Sequence, residues 1–175
     1  MLLRSTSAIG SYFERVVLHT VSTLGMRMEK VGGMGDKGVD LRGFLELGSN
    51  RFPIIIQCKH EARKTSTKYI RELEGTLMLE QPDTIGILAT RSAWTSNSLT
   101  LFHHSNLPLM NIIVQPTVEG SEQWFIQNLM LNSKIQSLHP QLGVGKCLIS
   151  GQVGLFYNGS EIDTTVADFP DNPML

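Results

Sequence analysis

Asp40, Gln57 and Lys59 bracket two strand-like stretches of this chain, and a glutamate, Glu14, precedes them. Oxygen donors beside an ammonium are what metal-assisted hydrolysis of a phosphodiester requires. The reaction needs an activated water and something to absorb the negative charge that builds on the phosphorane and the leaving oxygen, and bound Mg²⁺ supplies both. Magnesium takes oxygen ligands in octahedral geometry and keeps several waters, so a few protein donors suffice. The sequence offers the Asp40 carboxylate, the Gln57 side-chain oxygen and the Cys58 backbone carbonyl, and Glu14 could complete the shell directly or through a water. Mn²⁺ would substitute. Lys59 suits the remaining role, because a compact ammonium whose pKa falls on desolvation can orient or deprotonate a water while touching a phosphate oxygen. Alone, the spacing is weak: a turn aspartate and a lysine ending a strand give the same pattern.

The surrounding periodicities say what must position these groups. Ile9, Phe13, Val16, Val17, Val21 and Leu24 recur at helical spacing and predict an amphipathic helix from Ile9 to Leu24 that carries Glu14 and ends at Gly25. A short strand over Met26 to Val31 follows, then the loop GGMGDKG, then a strand through Val39, Leu41 and Phe44 with Asp40 on the face opposite its neighbours. Phe52 to Cys58 is a continuous apolar run of strand length, and alternation puts Gln57 and Lys59 on one face and Cys58 on the other. Thr65 or Ser66 opens a helix through Tyr69, Ile70, Leu73 and Leu77; Ile85 to Ala89 is a buried strand. Thr95 or Ser96 caps a helix through Leu99 and Phe102, and Leu109 to Val114 is a last core strand. Alternating helix and strand imply βα crossovers and an at least partly parallel sheet. Trp124 to Leu138 reads as a helix. Lys146 to Ser150, Gln152 to Tyr157 and Ser160 to Val166 read as a small β meander with an Asn158-Gly159 turn, and DFPDNPML as a loose tail. The expected organisation is a core over 1–118 and a C-terminal helix and β-hairpin extension over 119–175.

At 175 residues and 41% apolar content the chain can bury one real core, and no stretch approaches the roughly 20 apolar residues that cross a bilayer. A net charge of −1 excludes wholesale electrostatic attraction to nucleic acid. Positive charge is local instead, with Arg51, Lys59, Arg63, Lys64, Lys68 and Arg71 crowded together. Two distant cysteines, Cys58 and Cys147, make neither a disulfide framework nor a zinc quartet, which fits a reducing compartment. The opening MLLRSTSA has a transit peptide's composition but is too short to establish targeting.

Taken in order, Gly38-Val39-Asp40, the strand ending Gln57-Cys58-Lys59, the helix Arg71-Glu72-Leu73-Glu74-Gly75 and the strand ending Ala89-Thr90 resemble the Mrr-type restriction endonuclease domain of the PD-(D/E)XK nuclease superfamily. They are more similar still to a fungal family of mitochondrial proteins associated with respiratory growth. The resemblance spans roughly residues 8 to 115 and, more loosely, the C-terminal helix. It implies an α/β class protein with a restriction-endonuclease-like α/β/α core and a mixed central sheet, DNA as partner, and a mitochondrial location. It also implies that Asp40 is the metal-binding aspartate, Gln57 the first position of the ExK element, Lys59 the catalytic lysine and Glu14 the acid of the first helix. Gln57 departs from the superfamily's Glu, giving the metal one less negative charge and the site a greater dependence on Glu14.

Around this core His60, Arg63, Lys64, Lys68, Thr90 and Ser92 are candidate DNA contacts, the last two as hydroxyls at a strand-to-helix turn. His103 and His104 are adjacent on a helix, point about 100° apart and do not converge on one ion. Two alternatives stay open: a nuclease fold that binds DNA or protein without efficient catalysis, and a Holliday-junction-resolvase-like enzyme working as a homodimer. Val153, Leu155, Phe156 and Tyr157 would then form the dimer interface or, alternatively, cover the core of their own domain.

Overall fold

The apolar run Phe52–Cys58 becomes the middle of a ten-residue strand, β3 (Asn50–Lys59), buried on both faces. A strand covered on both faces carries consecutive rather than alternating apolar residues, and Ile54, Ile55 and Ile56 are all 1% exposed or less. The computed structural model describes residues 6–31, 38–147 and 151–162. The glycine-rich loop from Gly32 to Lys37, the opening MLLRS, Leu148 to Ser150 and the chain beyond Ile162 lie outside them.

Helix α1 (Thr6–Ser22) leads into β1 (Met26–Lys30), which pairs antiparallel with β2 (Leu41–Leu47), and β2 pairs antiparallel with β3. Gly25, at φ +78°, turns the chain out of α1 as a C-terminal glycine should. From β3 the chain crosses through α2 (Thr67–Leu77) to β4 (Ile85–Thr90), and through α3 (Ser96–His104) to β5 (Leu109–Pro116). Both pairings are parallel. The result is a six-stranded mixed sheet in the order β1-β2-β3-β4-β5-β6, with β6 (Trp124–Leu131) antiparallel to β5. One face holds Phe13, Val17 and Val21 of α1 against Ile54, Ile56, Ile87 and Ile112; the other holds Ile70, Leu73 and Leu77 of α2 and Phe102 of α3 against Ile55, Leu88 and Ile113. These are the α/β/α layers expected. Gly86 lets α2 down onto β4: a Cβ there would meet a Leu77 side-chain carbon at 2.5 Å.

Residues 124–138 correct the sequence reading. They form strand β6 and a separate short helix, α4 (Ser133–Leu138), so the central sheet extends past residue 118. The misreading has a local cause. In β6 the register slips, with Ile113 opposite Asn128 but Val114 opposite Ile126, so Gln127 is an extra, bulged residue. It moves the inward positions from Trp124 and Ile126 to Leu129 and Leu131, and the alternation of two is broken into gaps that mimic a helix.

A three-stranded antiparallel sheet forms from β7 (Leu142–Lys146), β8 (Val153–Tyr157) and β9 (Ser160–Glu161), a meander whose first strand ends at Lys146 instead of starting there as expected, Leu148 to Ser150 lying outside the described residues. The last strand is shorter than expected among the described residues. Leu142 and Leu155 enter the same apolar cluster as α1, so this extension covers its own core. Asn158 takes a positive φ of 53° beside Gly159 at 80°, as a two-residue hairpin turn demands.

Asn132 fastens the end of the sheet. Fully buried, it accepts from Leu109 N–H at 3.2 Å and Ile135 N–H at 3.1 Å, and its amide donates to the carbonyls of Phe102, Ser105 and Leu107. It thus caps α4 and pins the turn after α3 to the start of β5. Asn132→Ala removes a cap and leaves buried carbonyls unpaired, and is expected to lower unfolding free energy by roughly 2–4 kcal/mol in urea denaturation.

Candidate functional site

The ladder between β2 and β3 brings Asp40 to the end of β3. Leu41 pairs with Ile56 as the last register pair, and Asp40 N–H donates to the same Ile56 C=O at 2.9 Å, while its own C=O turns the other way and accepts from Val31 N–H at 3.0 Å. Asp40 is thus offset from the regular ladder, with Val39 in the apolar cluster under α2 and Leu41 in the one under α1. Asp40 Oδ2 then accepts from Cys58 N–H at 2.7 Å. A residue's N–H and C=O leave a strand on the same side, so the Cys58 carbonyl also faces Asp40.

Gln57 is 4% exposed, and its Oε1 is buried without a hydrogen-bond partner among the described residues. A buried amide oxygen without a donor costs about 1–3 kcal/mol, so it calls for a cation or donor. Its nitrogen lies under Gly38, which has φ +81°; a Cβ at Gly38 would come within 2.9 Å of Gln57 Nε2. Gly38→Ala is therefore expected to displace the Gln57 amide and to lower the melting temperature by several degrees, which calorimetry checks.

Lys59 lies two residues along the same face, with Nζ 5.0 Å from the centre of the Tyr69 ring. Tyr69 in turn donates its hydroxyl to Glu61, which pushes the phenol up to about 12. Tyr69 and Glu61 thereby form a wall beside Lys59 that the sequence did not single out. Arg63, Lys64 and Lys68 are exposed around the start of α2, Lys68 within 3.6 Å of Glu72.

Glu14 reaches the area from α1, on the opposite face of β3. Its carboxylate pairs with Lys30 of β1 at 2.7 Å. Burial first, then the charges of Asp40 and Glu14, raise the Cys58 thiol well above its ordinary value, so the thiol stays protonated. Lys30 was missed; its only sequence signal is a charge ending a strand. Among the described residues no three His, Cys, Asp or Glu side chains cluster as a metal shell, so the donors here are one carboxylate, one amide and a backbone carbonyl, with Glu14 tied to Lys30.

Two expected DNA contacts are placed otherwise. Thr90 is 0% exposed; its hydroxyl accepts from Trp94 Nε1 at 3.1 Å and donates to Ser92 C=O at 3.0 Å. It holds the turn rather than presenting an oxygen to a phosphate. His60 turns away from Lys59 because successive side chains of an extended chain alternate, and its ring packs edge-on against Phe13 at 5.2 Å. Ser92 donates its hydroxyl to the Glu61 carbonyl, joining the turns after β3 and β4.

Burial, then the nearby Arg91, lowers the His60 pKa below its ordinary 6.5. The unfolded chain therefore takes up this proton more readily, and the stability His60 contributes is present above pH 6.5 and lost as pH falls through and below that value. His60→Gln is expected to flatten the decline of the urea midpoint between pH 7.5 and 5.

A family model, Required for respiratory growth protein 7, matches residues 48–148, more than half of the chain. The chain belongs to that family. The match to Required for respiratory growth protein 7 takes in Gln57, Cys58, Lys59 and the β4 to β6 half of the sheet, while Glu14 and Asp40 precede it. An uncharacterised mitochondrial protein of Schizosaccharomyces pombe is 32% identical over 143 residues, covering 80% of this chain. The chain spans 57% of that relative's length. The mitochondrial location expected for this chain agrees with that relative and with the respiratory-growth family. Among solved structures, the restriction endonuclease MspJI in complex with a 27-mer oligonucleotide aligns at a TM-score of 0.45 and 16% identity, over 61% of this chain and 25% of that one.

Proposed function

We propose that this respiratory-growth family member is a divalent-metal-dependent endonuclease acting on mitochondrial DNA. The observation that supports it is the Asp40 carboxylate held by Cys58 N–H at 2.7 Å near the end of β3, with the oxygen of the preceding Gln57 buried and unpartnered among the described residues and Lys59 next along the Gln57 face. The donor set fits Mg²⁺ or Mn²⁺: Asp40, Gln57 Oε1 and the Cys58 carbonyl are hard oxygens on two adjoining strands. When bound, the ion supplies counter-charge to the phosphate and an acidified water. Asp40 is held by its hydrogen bonds to Ile56, Cys58 and Val31, and Gln57 by its place in β3. Lys59 orients the attacking water and meets a phosphate oxygen, its ammonium lying over the Tyr69 ring. Arg63, Lys64 and Lys68 engage flanking phosphates of the strand.

The test is incubation of the purified protein with supercoiled and branched DNA in Mg²⁺ or Mn²⁺, with an EDTA control. Metal-dependent nicking is expected, and its absence with both ions overturns the enzyme reading.

A second reading rests on a specific observation: Glu14 is engaged by Lys30 and Gln57 is neutral, so among the expected side-chain ligands Asp40 alone brings a carboxylate to the end of β3. On that reading the fold binds DNA without efficient cleavage. DNA affinity indifferent to divalent metal, together with intact substrate, would select it. A resolvase-like dimer is tested by sedimentation with and without a four-way junction.

A further inference from the structure

Beside the Lys59 site, on the other face of the sheet, lies a groove of about 380 Å³ between α1 and the β5–β6 connection. Its walls include Tyr12 and Trp124, whose rings meet edge to face at 6.2 Å, and His60, 6.5 Å from Trp124. Trp124 Nε1 donates to the Tyr12 hydroxyl at 3.3 Å, fixing the pair. Arg91 enters the same groove with a guanidinium nitrogen 2.7 Å from both carboxylate oxygens of Glu119, which is 83% exposed at the lip.

Three aromatic rings beside a neutralised arginine do not suit a phosphate, which Glu119 and Glu122 would repel. They suit a flat, uncharged heterocycle: ring faces for stacking, guanidinium donors and carboxylate acceptors for its edge. The groove's position supplies the rest. It opens at the carboxyl ends of the parallel strands β3 and β4, where ligands of α/β sheets bind. Two of its polar residues are joined to Lys59 by the backbone, His60 as its successor and Arg91 through an N–H to the Lys59 carbonyl at 3.3 Å.

We infer that this groove takes an unpaired nucleobase of the strand whose phosphate lies at Lys59, so that the substrate is single-stranded, gapped or branched rather than fully paired. The inference rests on the endonuclease reading for the neighbouring phosphate, but the base site is testable without cleavage. In EDTA, binding of single strands of equal length and phosphate count, normal or abasic at one central position, is compared by fluorescence anisotropy with the matching duplex. DNA and RNA strands are separate arms because they present the same bases.

The normal strand is expected to bind about tenfold more tightly than the abasic strand or the duplex. Trp124→Leu and the exposed Glu119→Gln should each reduce that preference several-fold with duplex affinity retained, and Glu119→Gln, which leaves the packing of Trp124 on the core untouched, should also keep the melting temperature. Equal affinity for normal and abasic strands overturns the base site. So does a preference unchanged in both variants. Metal-dependent nicking without base preference leaves the endonuclease standing and removes the groove; base preference without nicking under Mg²⁺ or Mn²⁺ does the reverse.

Discussion

Asp40→Asn and Lys59→Met are each expected to lower DNA cleavage by a factor on the order of a hundred to ten thousand, with the fold retained. Asparagine keeps the size of Asp40 and an oxygen to accept from Cys58 N–H, now held at 2.7 Å, while removing the carboxylate charge. Methionine keeps an unbranched apolar stem at position 59 and removes the ammonium that lies over the Tyr69 ring. A factor of a thousand is about 4 kcal/mol of transition-state stabilisation, far beyond what an exposed lysine contributes to binding. Single-turnover nicking at saturating Mn²⁺ measures it, and unchanged rates in both variants would remove Asp40 and Lys59 from the chemistry. The two should also differ in kind: Asp40→Asn shifts the metal requirement, whereas Lys59→Met lowers the rate at every metal concentration.

The second large effect concerns Gln57→Glu, for which two opposing consequences can be separated. Position 57 is 4% exposed and precedes Cys58, whose N–H holds the Asp40 carboxylate, so a carboxylate there is a buried charge near a like charge. Without metal, that arrangement costs on the order of several kcal/mol or takes up a proton, and the melting temperature should fall. With metal, the same carboxylate is a second anionic ligand. The Mg²⁺ concentration at half-maximal thermal stabilisation should drop about tenfold or more, the equivalent of about 1.4 kcal/mol. The decisive quantity is the metal-dependent rise in melting temperature, which should be larger in the variant than in the parent. Equal rises would show that no cation meets residue 57, whatever the activity does.

Much of the fold was legible because its signals are local. The period of three and four in Ile9 to Leu24 gives α1 since one stripe of a helix must meet the sheet. The unbroken run before Gln57 gives β3 since a central strand is covered on both faces. Thr95 accepts from Ser98 N–H at 3.1 Å, so the helix start read from its cap is where α3 begins. What was not legible depended on register. β6 reads as a helix because Gln127 bulges from the ladder, and a bulge is decided by the partner strand, not by the bulged residues.

The same division runs through the candidate site. By itself the sequence determined the order of Asp40, Gln57 and Lys59 and their strand parity, since alternation fixes that Gln57 and Lys59 share a face and Cys58 does not. Only the tertiary structure decided what surrounds them. It bonded Asp40 to Ile56 and Cys58 of β3, gave Glu14 to Lys30, buried Thr90 under Trp94, and turned His60 toward Phe13 and Trp124. The reason is range: side-chain direction along a strand is set by neighbours one or two residues away. A partner is set by which distant segment, here 112 residues apart for Tyr12 and Trp124, the packing of α1 on the sheet brings within reach.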